Sequence, residues 1–162
     1  MSSKTTRLLA AIDRFRFQNL KVVAFKPKLD RRYTPEEIST HNGGKISAVL
    51  VSSGDEILRH AELTNPDVVA VDEAFMIDGS ADAVIQLFRQ GVTIVVSSIE
   101  MSATCNVFSE MEKMLPWATR IEKCAAVCLI CGEDAFYTQK KIADLAEIAV
   151  GGSAVSYTHL TL

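Results

Sequence analysis

Three short apolar runs, Val22–Phe25, Val68–Val71 and Thr93–Val96, constrain this 162-residue chain more than any other feature. Each is continuous rather than alternating, which is how a strand reads when helices cover both faces of a parallel sheet. Each falls far short of the ~20 residues that cross a bilayer, so none predicts a membrane span. Helical patterns separate the runs, and that alternation is the mark of an α/β layer structure. Leu8, Leu9, Ile12, Phe15 and Leu20 recur at helical spacing, with Arg7, Asp13, Arg14 and Arg16 on the other faces.

The pattern predicts a strand over Leu20–Lys26 stopped by Pro27, then a long polar loop over 27–44 with Pro35 and Gly43-Gly44. A second strand follows at Ile46–Val51, a helix at Asp55–Leu63 and a third strand at Asp67–Asp72. A helix at Ala81–Arg89 ends at Gly91, and Val92–Ser98 makes a fourth strand. Ser102–Trp117 reads as irregular or helical, and Cys124–Val150 as short strand-like pieces around a cysteine pair. Residues 1 to about 100 thus form one parallel-sheet unit, with a small appendage behind it.

Composition narrows the function classes. With 48% hydrophobic residues, the chain can build one core of its own. Its 17 basic against 20 acidic residues give −3, which argues against a nucleic-acid groove. Met1–Arg7 lacks the build of a secretory signal, and four cysteines in such a chain point to the cytoplasm, with thiols free or metal-bound.

Chemistry can sit in three places. Ser2-Ser3-Lys4-Thr5 stands directly before the first helix. A phosphate site needs N–H groups at a helix start, a lysine for the outer phosphates and a hydroxyl for Mg²⁺. The wrapping glycines are absent, and a solvated helix start is the plain alternative. Asp72-Glu73 ends the run Val68–Val71. Ligands of open parallel sheets bind outside the carboxyl ends of strands, where one carboxylate can hold Mg²⁺ and a second can act as general base. Two solvated turn carboxylates are the alternative.

The third place is Cys124-x3-Cys128-x2-Cys131-Gly132. Cys128 and Cys131 have the spacing of half a tetrahedral zinc site, against two buried free thiols. The same spacing resembles a radical S-adenosylmethionine iron–sulfur signature, but the barrel such enzymes need cannot be built from the 31 residues after Cys131. Trp117 is expected to pack and His60 to be solvated.

Taken in order, several motifs resemble the tetrameric, zinc-containing thymidine kinases. They are Ser-Ser-Lys-Thr-Thr, Lys26-Pro27-x-x-Asp30-x-Arg32-Tyr33, Thr40-His41-x-Gly43 and Val71-Asp72-Glu73-Ala74. Cys128-x-x-Cys131, Ala135-Phe136-Tyr137-Thr138 and Val150-Gly151-Gly152 complete the set. The resemblance implies a RecA-like P-loop parallel sheet with helices on both faces, plus a small zinc-ribbon or lasso appendage. It divides the chain into a kinase core over 1–122 and the zinc region over 123–154.

The implied activity is ATP-dependent phosphorylation of the 5′-hydroxyl of thymidine or deoxyuridine in deoxynucleotide salvage. Ser2, Ser3, Lys4, Thr5, Asp30 and Asp72 would bind ATP and Mg²⁺, with Arg32 stabilising transferring charge and Glu73 as base. Phe75, Phe108, Tyr137 and Thr138 would hold the nucleoside, and Cys128 with Cys131 would supply half of a structural Zn²⁺ site. A cytoplasmic homo-tetramer is implied as well, and His41 has no assigned role.

The sequence also departs from the family. Met1 stands where an aromatic precedes the serine, so the first strand and first glycine of the phosphate loop are missing. Ser3 replaces a glycine, Phe75-Met76 stand for Gln-Phe, and Glu100–Phe108 is altered. Residues 155–162 resemble the translation of a transposon end and are expected to be non-native, which makes the chain a fragment clipped at both ends. Two rivals remain: a P-loop kinase or ATPase with another small substrate, and an inactive zinc-stabilised remnant or binding module.

Overall fold

The computed structural model describes residues 3–29, 37–39, 45–128, 130–140 and 156–159. Its centre is a parallel sheet of four strands in the order β4-β1-β5-β6. These are β1 (Val22–Pro27), β4 (Val49–Val51), β5 (Val68–Asp72) and β6 (Thr93–Ser97). The register sets Phe25 beside Val49 on one side and beside Val71 on the other, while Val71 pairs with Val96.

Side chains alternate between the two faces, as strand geometry requires. Val23, Phe25, Val69, Val71, Ile94 and Val96 join one core with α2 (Gly54–Thr64), α3 (Ser80–Arg89) and α4 (Ser109–Met114). Ala24, Ala70 and Val95 face the other way, against Leu8, Leu9 and Ile12 of α1 (Lys4–Phe17). Helices therefore cover both faces, as expected. The small residues on the second face let α1 lie close to the sheet.

Local chemistry sets the helix limits. Arg14 and Arg16 in the last turn of α1 oppose its dipole favourably, and Asn19 turns left-handed just beyond. Asp55 and Glu56 open α2, and Asn65 closes it in the left-handed conformation. The expected stop at Gly91 is real, with φ of 92° and its N–H on Phe88. Gly54 begins α2 where no side chain fits, since an added Cβ would meet the Gly79 carbonyl oxygen at 2.1 Å.

Two expectations need correction. The strand predicted over Ile46–Val51 is divided. Its first part, β3 (Lys45–Ser47), pairs antiparallel with β2 (Glu37–Ser39), and only β4 joins the main sheet. The loop predicted over 27–44 accordingly contains β2. The hairpin forms because Ile38 and Ile46 bury themselves in the α1-side core. Residues 102–117 resolve into a small turn closed by a Met101–Val107 bridge, then α4 and a 3₁₀ turn at Leu115–Trp117.

The cysteine-bearing part is slight. β7 (Ala126–Val127) pairs with β8 (Asp134–Ala135), and β9 (Tyr137–Lys140) pairs with β10 (Ser156–His159). Among the described residues β6 pairs only with β5. Its other side looks into a groove of about 1110 Å³. Leu8, Ala11 and Phe15 of α1 wall that groove together with Met111 and Met114, and residues 117–124 lie across from β6. Among the described residues, no helix is long and apolar enough to cross a membrane.

Candidate active site

The connection between α1 and β1 is short, so α1 runs back along the sheet and its N-terminus reaches the carboxyl edge of the strands. Ser3 stands at that N-terminus, exposed, and its hydroxyl accepts a hydrogen bond from Arg7 Nε at 3.1 Å. Lys4 is the first residue of the helix and lines the groove beside β6. Thr5 follows within the first turn, half-buried. Four backbone N–H groups at a helix start have no partner inside the helix, and the dipole there favours an anion.

The same edge carries a polar row on the α1 side of the sheet. Asp72 ends β5 and is buried, and its register neighbour on β6 is Ser97. Ser97 Oγ is buried and has no hydrogen-bond partner among the described residues. The paired positions Phe25 and Val71 place Lys26 and Asp72 next in register across β1 and β5. Lys26 is buried as well and donates from Nζ to the Glu37 carbonyl at 3.2 Å. Three buried polar side chains at the end of an otherwise apolar sheet suit a charged ligand better than a packed core. The donor set, a carboxylate and a hydroxyl beside a lysine-bearing helix start, fits Mg²⁺ with a polyphosphate.

Glu73 leaves the strand in the left-handed region, with φ of 49° and ψ of 46°. That conformation costs a non-glycine residue on the order of 1 kcal/mol and marks a position shaped by something other than local preference. The 3₁₀ turn Ala74–Met76 follows, closed by the Met76 N–H on the Glu73 carbonyl at 3.0 Å. Phe75 donates its N–H to Ser98 Oγ at 3.2 Å. Its ring stacks on Phe108, centroids 4.6 Å apart and planes tilted by 35°. Phe108 is buried, and its own N–H goes to the Glu100 carbonyl at 3.0 Å. Glu73, Phe75 and Phe108 are thus brought together.

Tyr137 and Thr138 lie on β9, half-buried, and share the groove with Lys4 and β6. The lining of that groove includes neither Glu73 nor the phenylalanine pair. A salt bridge between Arg7 and Glu122 ties α1 to the far wall. Lys123 binds Glu100 at 2.6 Å, a hydrogen bond that holds the lysine's pKa above its usual value. Ser2, Asp30, Arg32, His41 and the segment ahead of Gly151 lie outside the described residues.

Cys128 is buried and Cys131 exposed. The Ile130 N–H points at Cys128 Sγ at 3.4 Å, the Gly132 N–H reaches the Cys128 carbonyl at 3.0 Å, and Gly132 has φ of 79°. An N–H directed at sulfur and a left-handed glycine after the second cysteine make a turn that suits two thiolates on one metal. Among the described residues no group of three potential metal ligands forms.

Two minor expectations meet different fates. Trp117 does pack, edge-on to Phe88 at 6.4 Å and under the Arg89 guanidinium at 4.7 Å. His60 is not simply solvated: it is half-buried, and its ring meets Phe25 edge-on at 6.1 Å because α2 lies over β1. Sequence reasoning also missed Lys26, Ser80, Ser97 and Glu110. A single buried charge or hydroxyl gives no periodic signal. The one available clue was Lys26 inside an apolar run.

Against this geometry, one comparison bears on identity: a family model described as thymidine kinase matches residues 1–160.

Proposed function

The chain belongs to the thymidine kinase family, and from that premise we propose that it transfers the γ-phosphoryl of ATP to the 5′-hydroxyl of thymidine or deoxyuridine. What supports the reading is the carboxyl edge of the sheet, where Asp72-Glu73 end β5 and toward which the N-terminus of α1 runs. ATP supplies the phosphoryl group, and Mg²⁺ neutralises its charge when bound. Ser3, Lys4 and Thr5 hold the phosphates at the helix start, with Ser2 ahead of them. Asp72 would hold the metal from the end of β5, with the Ser97 hydroxyl beside it. Asp30 and Arg32 serve the same phosphates, with Arg32 on the transferring charge.

Glu73 takes the proton from the 5′-hydroxyl as that oxygen attacks in line. The stacked Phe75 and Phe108 form an aromatic wall for the pyrimidine ring, whose polar edge Tyr137 and Thr138 would reach from the neighbouring groove. Cys128 and Cys131 supply two thiolates of a structural Zn²⁺ site, which would stiffen the turn that leads into β8 and β9.

Incubating the chain with ATP, Mg²⁺ and a panel of nucleosides tests this. The expected result is phosphorylation of thymidine and deoxyuridine and not of purine nucleosides. Glu73→Gln should cut turnover about 10²-fold or more while nucleotide affinity holds. Unchanged turnover removes Glu73 from the base role. Hydrolysis of ATP with no nucleoside acceptor would instead favour an ATPase of the same fold.

A further inference from the structure

Glu110 is a buried carboxylate with no part in the reaction described above. It is 6% exposed and lies in the first turn of α4, two residues after Phe108. Its Oε2 accepts the Ala81 N–H at 2.7 Å and lies 3.3 Å from the Ser80 hydroxyl. Ser80 is fully buried, and its single hydroxyl proton is shared between that carboxylate and the Ala74 carbonyl, 2.9 Å away. Ala74 directly follows Glu73. One carboxylate thus joins the start of α3 to the helix that carries Phe108. Through Ser80 it reaches the turn that carries Glu73 and Phe75.

Stability alone does not call for such a group. A buried charge is often no better than a well-packed apolar side chain of the same size. Here the carboxylate caps the N-terminus of α3, where a negative charge is favoured, and does so from another helix. The segment it reaches needs outside support. Glu73 has left-handed backbone, and a strained position persists only when its surroundings over-determine it. Contacts that hold the turn include Ser80 on the Ala74 carbonyl, Ser98 on the Phe75 N–H, and Phe108 on the Phe75 ring. Glu110 reaches the Ala74 carbonyl by way of Ser80 and lies two residues beyond Phe108.

We propose that Glu110 is a positioning residue which, through Ser80 and the start of α3, fixes Glu73 and the Phe75–Phe108 stack relative to each other. Its kinetic consequence rests on the phosphoryl-transfer reading above, whereas its hold on residues 73–76 does not. A misplacement of about 1 Å at a reacting group costs on the order of 10²-fold in rate, so a partial loosening should be visible in kcat.

The test compares Glu110→Ala, Glu110→Asp and Glu110→Gln in the full chain. Gln keeps an acceptor oxygen at the same reach, whereas Asp keeps the charge but withdraws it by one methylene. Met111 and Met114 remain in the core and Lys113 still bridges Asp82 at 3.0 Å, so α4 stays docked in each. Glu110→Ala should lower kcat for thymidine about ten-fold or more, with KM for ATP within about two-fold. Amide exchange over 73–76 should rise in parallel. Glu110→Asp should show both changes in weaker form, and Glu110→Gln should restore both.

Equal loss in Gln and Ala, or unchanged kcat and exchange in Ala, overturns the proposal. If Ala fails to fold, the Asp and Gln pair decides it alone. Should the unmodified chain phosphorylate no nucleoside, the functional reading falls. The exchange comparison then still upholds or refutes the hold on 73–76.

Discussion

β5 and the cysteine turn use their side chains in opposite ways. Val68, Val69, Ala70 and Val71 are all fully buried between two strands and two helix layers. From 126 to 136, by contrast, Val127, Ile130 and Phe136 stand exposed, and the two strands of that region have two residues each. The first region is held by apolar burial, worth about 1.5–3 kcal/mol for a fully buried valine-sized side chain. The second buries only the small side chains of Ala126, Cys128 and Ala135 and leans more on local hydrogen bonds. Order in this molecule therefore has two sources, and they can be removed separately.

The sharpest way to break the contrast is a charge in the sheet. Val69→Asp buries an unpaired carboxylate and should abolish folding, read as loss of the cooperative thermal transition. Val127→Asp, on the exposed side of β7, should leave that transition in place. Next in size is Gly54→Ala. The added methyl collides with the Gly79 carbonyl, and the rigid backbone on both sides prevents easy relief. We expect a loss of about 3 kcal/mol in urea unfolding.

Smaller again is Cys131→Ser. It should reduce bound zinc, measured by a metallochromic dye, and speed proteolysis within 120–140. The main thermal midpoint should move by no more than about 2 °C. An equal collapse of both regions would show that they are one cooperative unit.

The smallest effect concerns pH. A hydrogen bond from Lys28, at 3.0 Å, and one from the Ser52 N–H hold the Glu56 carboxyl below its usual 4.5. A carboxyl with a depressed pKa contributes stability above its unfolded value and loses it as pH falls through the folded one. The contribution should therefore be full above about 4.5 and fade below it. In thermal melts, Glu56→Gln should sit slightly below the parent chain near neutrality and merge with it in acid. Both groups are solvent-accessible, so the gap will be small and will shrink with salt.

Much of the core was legible because its signal is local. Apolar runs mark β1, β5 and β6, and Gly91 marks the end of α3, each without knowledge of any neighbour. The division of 45–51 was not legible. Ile46 and Val51 look alike in sequence, yet one faces a hairpin partner and the other a parallel strand. Asp72-Glu73 could be read from the abrupt charge after an apolar run. Glu110 could not, because its partners Ser80 and Ala81 lie about thirty residues away and the contact exists only once α3 and α4 are packed. The left-handed backbone of Glu73 was equally hidden, since nothing in glutamate's own preferences points to it.

That backbone has a consequence for how the position can change over generations. A glycine at 73 would relax the chain and raise its resistance to heat, while removing the carboxylate proposed above as the base. Under the proposed reaction, selection for durability would favour glycine at this one position and selection for chemistry would favour glutamate.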